Sequence, residues 1–186
     1  METNGFTSLF GNNKVPEILL SLLEFDNQVA TDGWFSEGFE FMADEEKLML
    51  STYSEEPDFL NAFFPFAQAD ASGSVYAFWN PNSDIDLEET PIAVFGSEGG
   101  YHVIAANIHD LLRILTYDAE PMIDWDDISF YKDEEEHEPG THSAEYKRWL
   151  NDRYQLSPTD NPDELVEKAQ EKYQGAFNEW MERYLE

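Results

Sequence analysis

The chain has 186 residues and a formal net charge of −30, with 40 Asp and Glu against 10 Lys and Arg. A field of that sign repels phosphate backbones and anionic bilayers, so nucleic-acid and lipid-surface binding are disfavoured and basic partners are favoured. Cysteine is absent, which removes disulfides and thiolate metal sites.

The 14 Phe, 9 Tyr and 5 Trp supply bulky core material for one domain with additions. The first residues lack a basic stretch followed by an apolar one, and no apolar run approaches the ~20 residues of a membrane span. A soluble, cytoplasmic protein is expected.

In chain order, residues 1–13 are polar and glycine-containing and read as a loosely held lead-in. Pro16 suits a first helical turn, and Ile18, Leu19, Leu22 and Leu23 form the stripe of an amphipathic helix ending near Phe25. Asp32-Gly33 signals a turn. Residues 34–41 have a strand-like flavour broken by Gly38, and Ala43-Asp44-Glu45-Glu46 reads as a helix start. Glu55-Glu56-Pro57-Asp58 reads as a loop.

The clearest block is 63–117. Phe63-Phe64-Pro65-Phe66-Ala67, the turn Ala71-Ser72-Gly73-Ser74 and Val75-Tyr76-Ala77-Phe78-Trp79 predict a hairpin. A second hairpin joins Ile92-Ala93-Val94-Phe95 to Tyr101-His102-Val103-Ile104-Ala105 through Gly96-Ser97-Glu98-Gly99-Gly100. Asn107 caps a helix whose Ile108, Leu111, Leu112 and Leu115 recur at helical spacing. Between the hairpins, Asn80, Asn82, Asp84, Asp86 and Glu88 alternate as in a calcium loop. The sixth position is Ile85 rather than Gly and the twelfth is Pro91 rather than Glu, so a solvated acidic loop is the better reading.

Pro65-Phe66-Ala67 with Ser72-Gly73-Ser74, then Tyr101-His102-Val103-Ile104-Ala105 running into Asn107-Ile108-His109-Asp110-Leu111-Leu112, resembles the signature of the SUKH superfamily. That superfamily contains bacterial immunity proteins against polymorphic toxins and a yeast regulator of cell-wall assembly. The resemblance covers roughly residues 15–117, is strongest over 65–115, and implies a non-enzymatic α+β domain that binds other proteins.

Past the block, residues 117–125 leave the sheet, and Ile128-Ser129-Phe130-Tyr131 reads as a final short strand. Asp133-Glu134-Glu135-Glu136-His137-Glu138-Pro139-Gly140 is an acidic linker. A helix follows from about Ser143 to Tyr154. Another opens at Asn161-Pro162-Asp163-Glu164, with Glu164 able to complete a capping box. Its stripe, Leu165, Ala169, Tyr173, Ala176, Phe177, Trp180 and Tyr184, is most simply core. The expected organisation is an α+β domain over 1–132, an acidic linker over 133–142 and a helical extension over 143–186 packed on the domain. The sheet is expected to be mostly antiparallel, twisted and packed with helices.

Catalytic motifs are not visible. The four histidines lack the His-Glu-x-x-His spacing of a zinc helix, and Gly96-Ser97-Glu98-Gly99-Gly100 lacks the strand-to-helix setting of a nucleophile elbow. Neither a metal nor another cofactor is expected. The leading expectation is a protein-binding domain, immunity-type or regulatory, that masks a basic protein partner such as a toxin. Its acidic rim is expected at Asp84, Asp86, Glu88, Glu89 and Glu98, which fall on loops beside the strands. The alternatives are a small carboxylate-based enzyme or ligand-binding domain, and a scaffold assembling through its C-terminal helices.

Overall fold

The two hairpins join into one antiparallel meander. In the computed structural model, which describes residues 2–42, 47–82, 86–133 and 135–185, five strands lie in sequence order. They are β1 (Glu40–Phe41), β2 (Phe63–Gln68), β3 (Val75–Trp79), β4 (Ile92–Phe95) and β5 (Tyr101–Ala105). Every neighbouring pair is antiparallel, and a register shift in β2 between Pro65 and Ala67 bends the strand where proline cannot donate to the ladder.

Side chains alternate between two cores. Phe64, Phe66, Tyr76, Phe78, Ile92, Val94 and Ile104 face one cluster, while Phe63, Val75, Ala77, Trp79, Ala93, Phe95 and Val103 face another. An antiparallel sheet commonly leaves one face wet, which gives an apolar/polar alternation along each strand. Here both faces are covered, which is why β3 and β4 are apolar at every position.

The first face is covered by α1 (Thr3–Ser8), α2 (Glu17–Gln28), α5 (Ile108–Ile114) and α6 (Ser143–Tyr154). The second is covered by α3 (Leu48–Ser51), α4 (Pro57–Asn61) and the C-terminal part of α7 (Pro162–Met181), whose first turns reach the other core through Leu165 and Val166. The protein is α+β. Among the described residues, no helix is long and apolar enough to cross a membrane.

Local signals account for several boundaries. Asn107 Oδ1 accepts from the Asp110 amide at 3.0 Å, which caps α5, and the buried Tyr146 hydroxyl donates to Leu112 O at 2.7 Å. Gly99 and Gly100 hold φ of +110° and +82° in the β4–β5 turn, and a Cβ on Gly100 would strike the Asp124 carbonyl.

Other expectations are corrected. The lead-in forms α1, because Phe6 and Phe10 fall four residues apart and their rings stack edge-on into the first core. Pro57 opens α4 where a loop was expected, because proline is pre-organised for a first helical turn. Only Glu40 and Phe41 of the 34–41 stretch pair as strand. Ile128–Phe130 is β7, but it pairs with β6 (Pro121–Ile123) as a separate ribbon. Asn161 makes no side-chain cap and the capping box does not form: the Asn161 amide donates to Thr159 Oγ1 at 3.1 Å, and Glu164 accepts from Lys168 Nζ at 2.6 Å. The expected helix start at 43–46 lies outside the described residues.

Candidate functional site

The expected acidic rim divides between the two ends of β4. Asp86, Glu88 and Glu89 sit in the short turn before the strand, and Glu98 sits in the hairpin turn after it. Four strand residues span roughly 13 Å, so these carboxylates do not converge on one point. Asp86 Oδ1 accepts from the Glu88 amide at 3.1 Å, and Glu88 approaches His109 Nε2 at 3.5 Å, so both also serve local structure. Glu89 and Glu98 are exposed, and Asp84 lies outside the described residues.

The carboxylates that do share one concavity come from separate segments. An open cleft of about 650 Å³ is lined by Asp26, Glu37, Glu40, Asp70 and Glu120 and, among the described residues, by no Lys, Arg or His. Asp26 comes from the last turns of α2 and Glu40 from β1. Glu37 belongs to the preceding loop, Asp70 to the β2–β3 turn, and Glu120 stands just before β6. Trp34, half-exposed, forms the aromatic rim, with Phe35, Phe39 and Phe41 behind it.

Each wall is held by identifiable bonds. Asp70 Oδ1 accepts from the Ser72 and Ser74 amides at 2.9 and 3.0 Å and from the Ser72 hydroxyl at 2.7 Å, organising the turn. Although half-burial pushes the Asp70 carboxyl pKa up, the bonds from Ser74 and Ser72 outweigh it and hold the pKa below the usual value. Glu120 Oε1 accepts from the Ala71 amide at 2.9 Å, which closes the turn against the β6 approach.

Asp118 fixes the opposite wall. It is buried in the left-handed conformation, and its Oδ1 accepts from Glu37 N at 3.0 Å and its Oδ2 from Gly140 N at 2.8 Å. His137 Nε2 lies 3.7 Å from the same Oδ2. Gly140 in turn lets the Trp34 ring lie close against the backbone, because a Cβ there would come within 2.9 Å of the indole. His142 donates its amide to Trp34 O at 3.1 Å, and its ring pairs with Asp32 Oδ1 at 2.9 Å. Gly140 and His142, at the end of the expected acidic linker, are thereby bound to the cleft's rim.

Two buried hydroxyls near the carboxylates are unspent. Ser36 belongs to the cleft lining at 1% exposure, and its Oγ has no hydrogen-bond partner. Tyr76 stacks on Phe39, and its hydroxyl is also buried without a partner. Burial, with the charges of Asp70 and Glu120 adding to it, raises the Tyr76 phenol far above its ordinary value and keeps it neutral.

Asp26 is the strained member. Burial raises its carboxyl pKa, the positive charge of the amino terminus offsets part of the rise, and the Glu40 charge adds to it. A carboxylate in the last turns of a helix also opposes the helix dipole. Since the folded pKa exceeds the unfolded one, the penalty is fully present at neutral pH. It disappears as the pH falls through the folded pKa towards the unfolded value. Asp26→Asn is therefore expected to raise the melting temperature at pH 7, with the gap over wild type closing near pH 4. Solvent screening of this half-buried group keeps the gain below about 1 kcal/mol. An equal or lower melting temperature at pH 7 would contradict this account.

Sequence reasoning missed the cleft because its carboxylates are scattered over residues 26–120. Only the Asp70-Ala71-Ser72-Gly73-Ser74 turn carried a local signal, that of an aspartate able to bond the backbone two residues on. No family model matches the chain, and comparisons with curated proteins and with solved structures returned no match either.

Proposed function

We propose that this chain is a non-enzymatic protein-binding domain, immunity-type or regulatory and acting in the cytoplasm, that binds and masks a basic protein partner. The observation that carries this reading is the cleft whose five carboxylates face, among the described residues, no Lys, Arg or His on its lining. Like charges gathered at a concave surface focus a negative potential, and that potential steers a basic surface into contact before short-range packing takes over. The acidic turn before β4 and Glu98 extend the same field around the sheet. The resemblance of residues 65–115 to the SUKH superfamily supports an immunity or regulatory role, with a toxin as one partner of suitable charge.

A ligand-binding or carboxylate-based enzymatic reading draws on one feature, the half-buried Asp26 with its raised pKa in a concave site. None of the four histidines lines the cleft. His102 bonds the Asp124 carbonyl, while His109, His137 and His142 face Glu88, Asp118 and Asp32. Ser36 Oγ has no base beside it.

The test is affinity capture at low ionic strength, comparing wild type with a chain carrying Glu37→Gln, Glu40→Gln and Glu120→Gln. The expected result is a basic protein that wild type retains, that moderate salt releases, and that the triple variant loses. Equal retention by both chains, or capture of acidic proteins alone, would count against the proposal.

A further inference from the structure

Resting on the basic-partner reading, we infer that the cleft between α2, β1 and the β2–β3 turn is an anchor for an arginine side chain presented by the partner polypeptide. Three features select the guanidinium. The first is the spacing of the carboxylates. Five line one cleft, yet among the described residues no three His, Cys, Asp or Glu side chains stand close enough to hold a metal ion. A set too spread for a point charge suits a planar cation whose five N–H donors diverge.

The second is Trp34, half-exposed at the rim and backed by Gly140, which leaves an indole surface free at the mouth. Guanidinium stacks on such a surface while its edges bond carboxylates, an arrangement that a compact, strongly hydrated ammonium does not match. The third is Ser36, a residue of the cleft lining whose buried Oγ has no partner and can accept one N–H. At about 650 Å³ the cleft exceeds one side chain, so it admits the arginine together with part of the chain that presents it.

The experiment is calorimetric titration of the full chain with blocked hexa-arginine, hexa-lysine and spermidine, alongside amide and indole NMR spectra. The arginine peptide is expected to bind about tenfold more tightly than the lysine peptide, with the Trp34 indole N–H resonance shifting on addition. Trp34→Ala is expected to weaken arginine-peptide binding several-fold more than lysine-peptide binding, and so to remove most of that preference. Ser36→Ala is expected to weaken arginine binding by about fivefold. Trp34 is a rim residue, so its variant keeps the test open if a change at buried Ser36 impairs folding.

Equal affinity for the two peptides with a stationary Trp34 resonance overturns the arginine anchor and leaves the basic-partner reading standing. If neither peptide binds at low salt, both fall. Spermidine binding as tightly as hexa-arginine also overturns the anchor, because simple charge accumulation would then suffice.

Discussion

Asp118→Ala is expected to lower the unfolding free energy by about 3–4 kcal/mol, more than any other change at a polar residue considered above. The residue is 1% exposed, and its side chain spends both oxygens on backbone amides, those of Glu37 and Gly140. Alanine leaves those amides without acceptors, and an orphaned buried donor costs about 1–3 kcal/mol. The backbone adds to this. At φ +62° and ψ +57° the residue is left-handed, where aspartate and asparagine are tolerated and alanine costs roughly 1 kcal/mol. Asp118→Asn keeps the conformation and one acceptor, so it should recover about half of the loss. Urea denaturation of the three chains, with unchanged slope, reads the difference directly. An alanine variant as stable as the asparagine one would show that the paired amides find other partners. Because Glu37 and the Gly140–Trp34 contact belong to the cleft wall, the alanine variant should also weaken capture of a basic partner under conditions where it remains folded.

Asp118 also marks the limit of what the sequence discloses. The block from Phe63 to Tyr117 was legible because its signals are local: alternating bulky residues, glycines at positive φ, and an asparagine three residues before the amide it caps. The α6 limits, Ser143–Tyr154, were equally plain from helical spacing. Asp118, by contrast, acts on residues 37 and 140, and nothing within a turn of it in sequence predicts those partners. The same holds for the cleft. Asp26, Glu40 and Glu120 are three among 40 acidic residues, and only the folding of the first core gathers them. The α1 helix was missed for a related reason. Its composition is polar and weakly helical, and the core that accepts Phe6 and Phe10 decides the conformation. Charge sign and strand pattern survive in one dimension, whereas convergence of side chains does not.

Phe177→Ala is expected to cost about 3–5 kcal/mol, and its value lies in what it separates. The α7 stripe could serve as core or as an assembly face, and the two uses make opposite demands on one residue. Phe177 is fully buried, with its ring centroid 5.0 Å from Trp79, 5.9 Å from Tyr101, 6.3 Å from Phe63 and 6.4 Å from Phe95. Trp180 and Met181 enclose the same cluster, and Gln174 Oε1 accepts from the Val103 amide on the outer edge of β5 at 2.7 Å. Thus α7 both fills the second face of the sheet and occupies the strand edge. Ala176, although part of the apolar spacing, is exposed, so the stripe seen in the sequence is wider than the face that is buried. A cavity the size of a phenyl ring cannot be closed by aromatic neighbours already packed against one another, which places the cost in the upper part of the range. If α7 acts as core, the variant loses this stability at every protein concentration. If the stripe joins copies of the chain, the variant shifts the mass measured by sedimentation and leaves the unfolding midpoint of the dilute protein where it was. The burial of Phe177, Trp180 and Met181 argues for the first outcome, since joining copies through these side chains would first require α7 to leave the sheet.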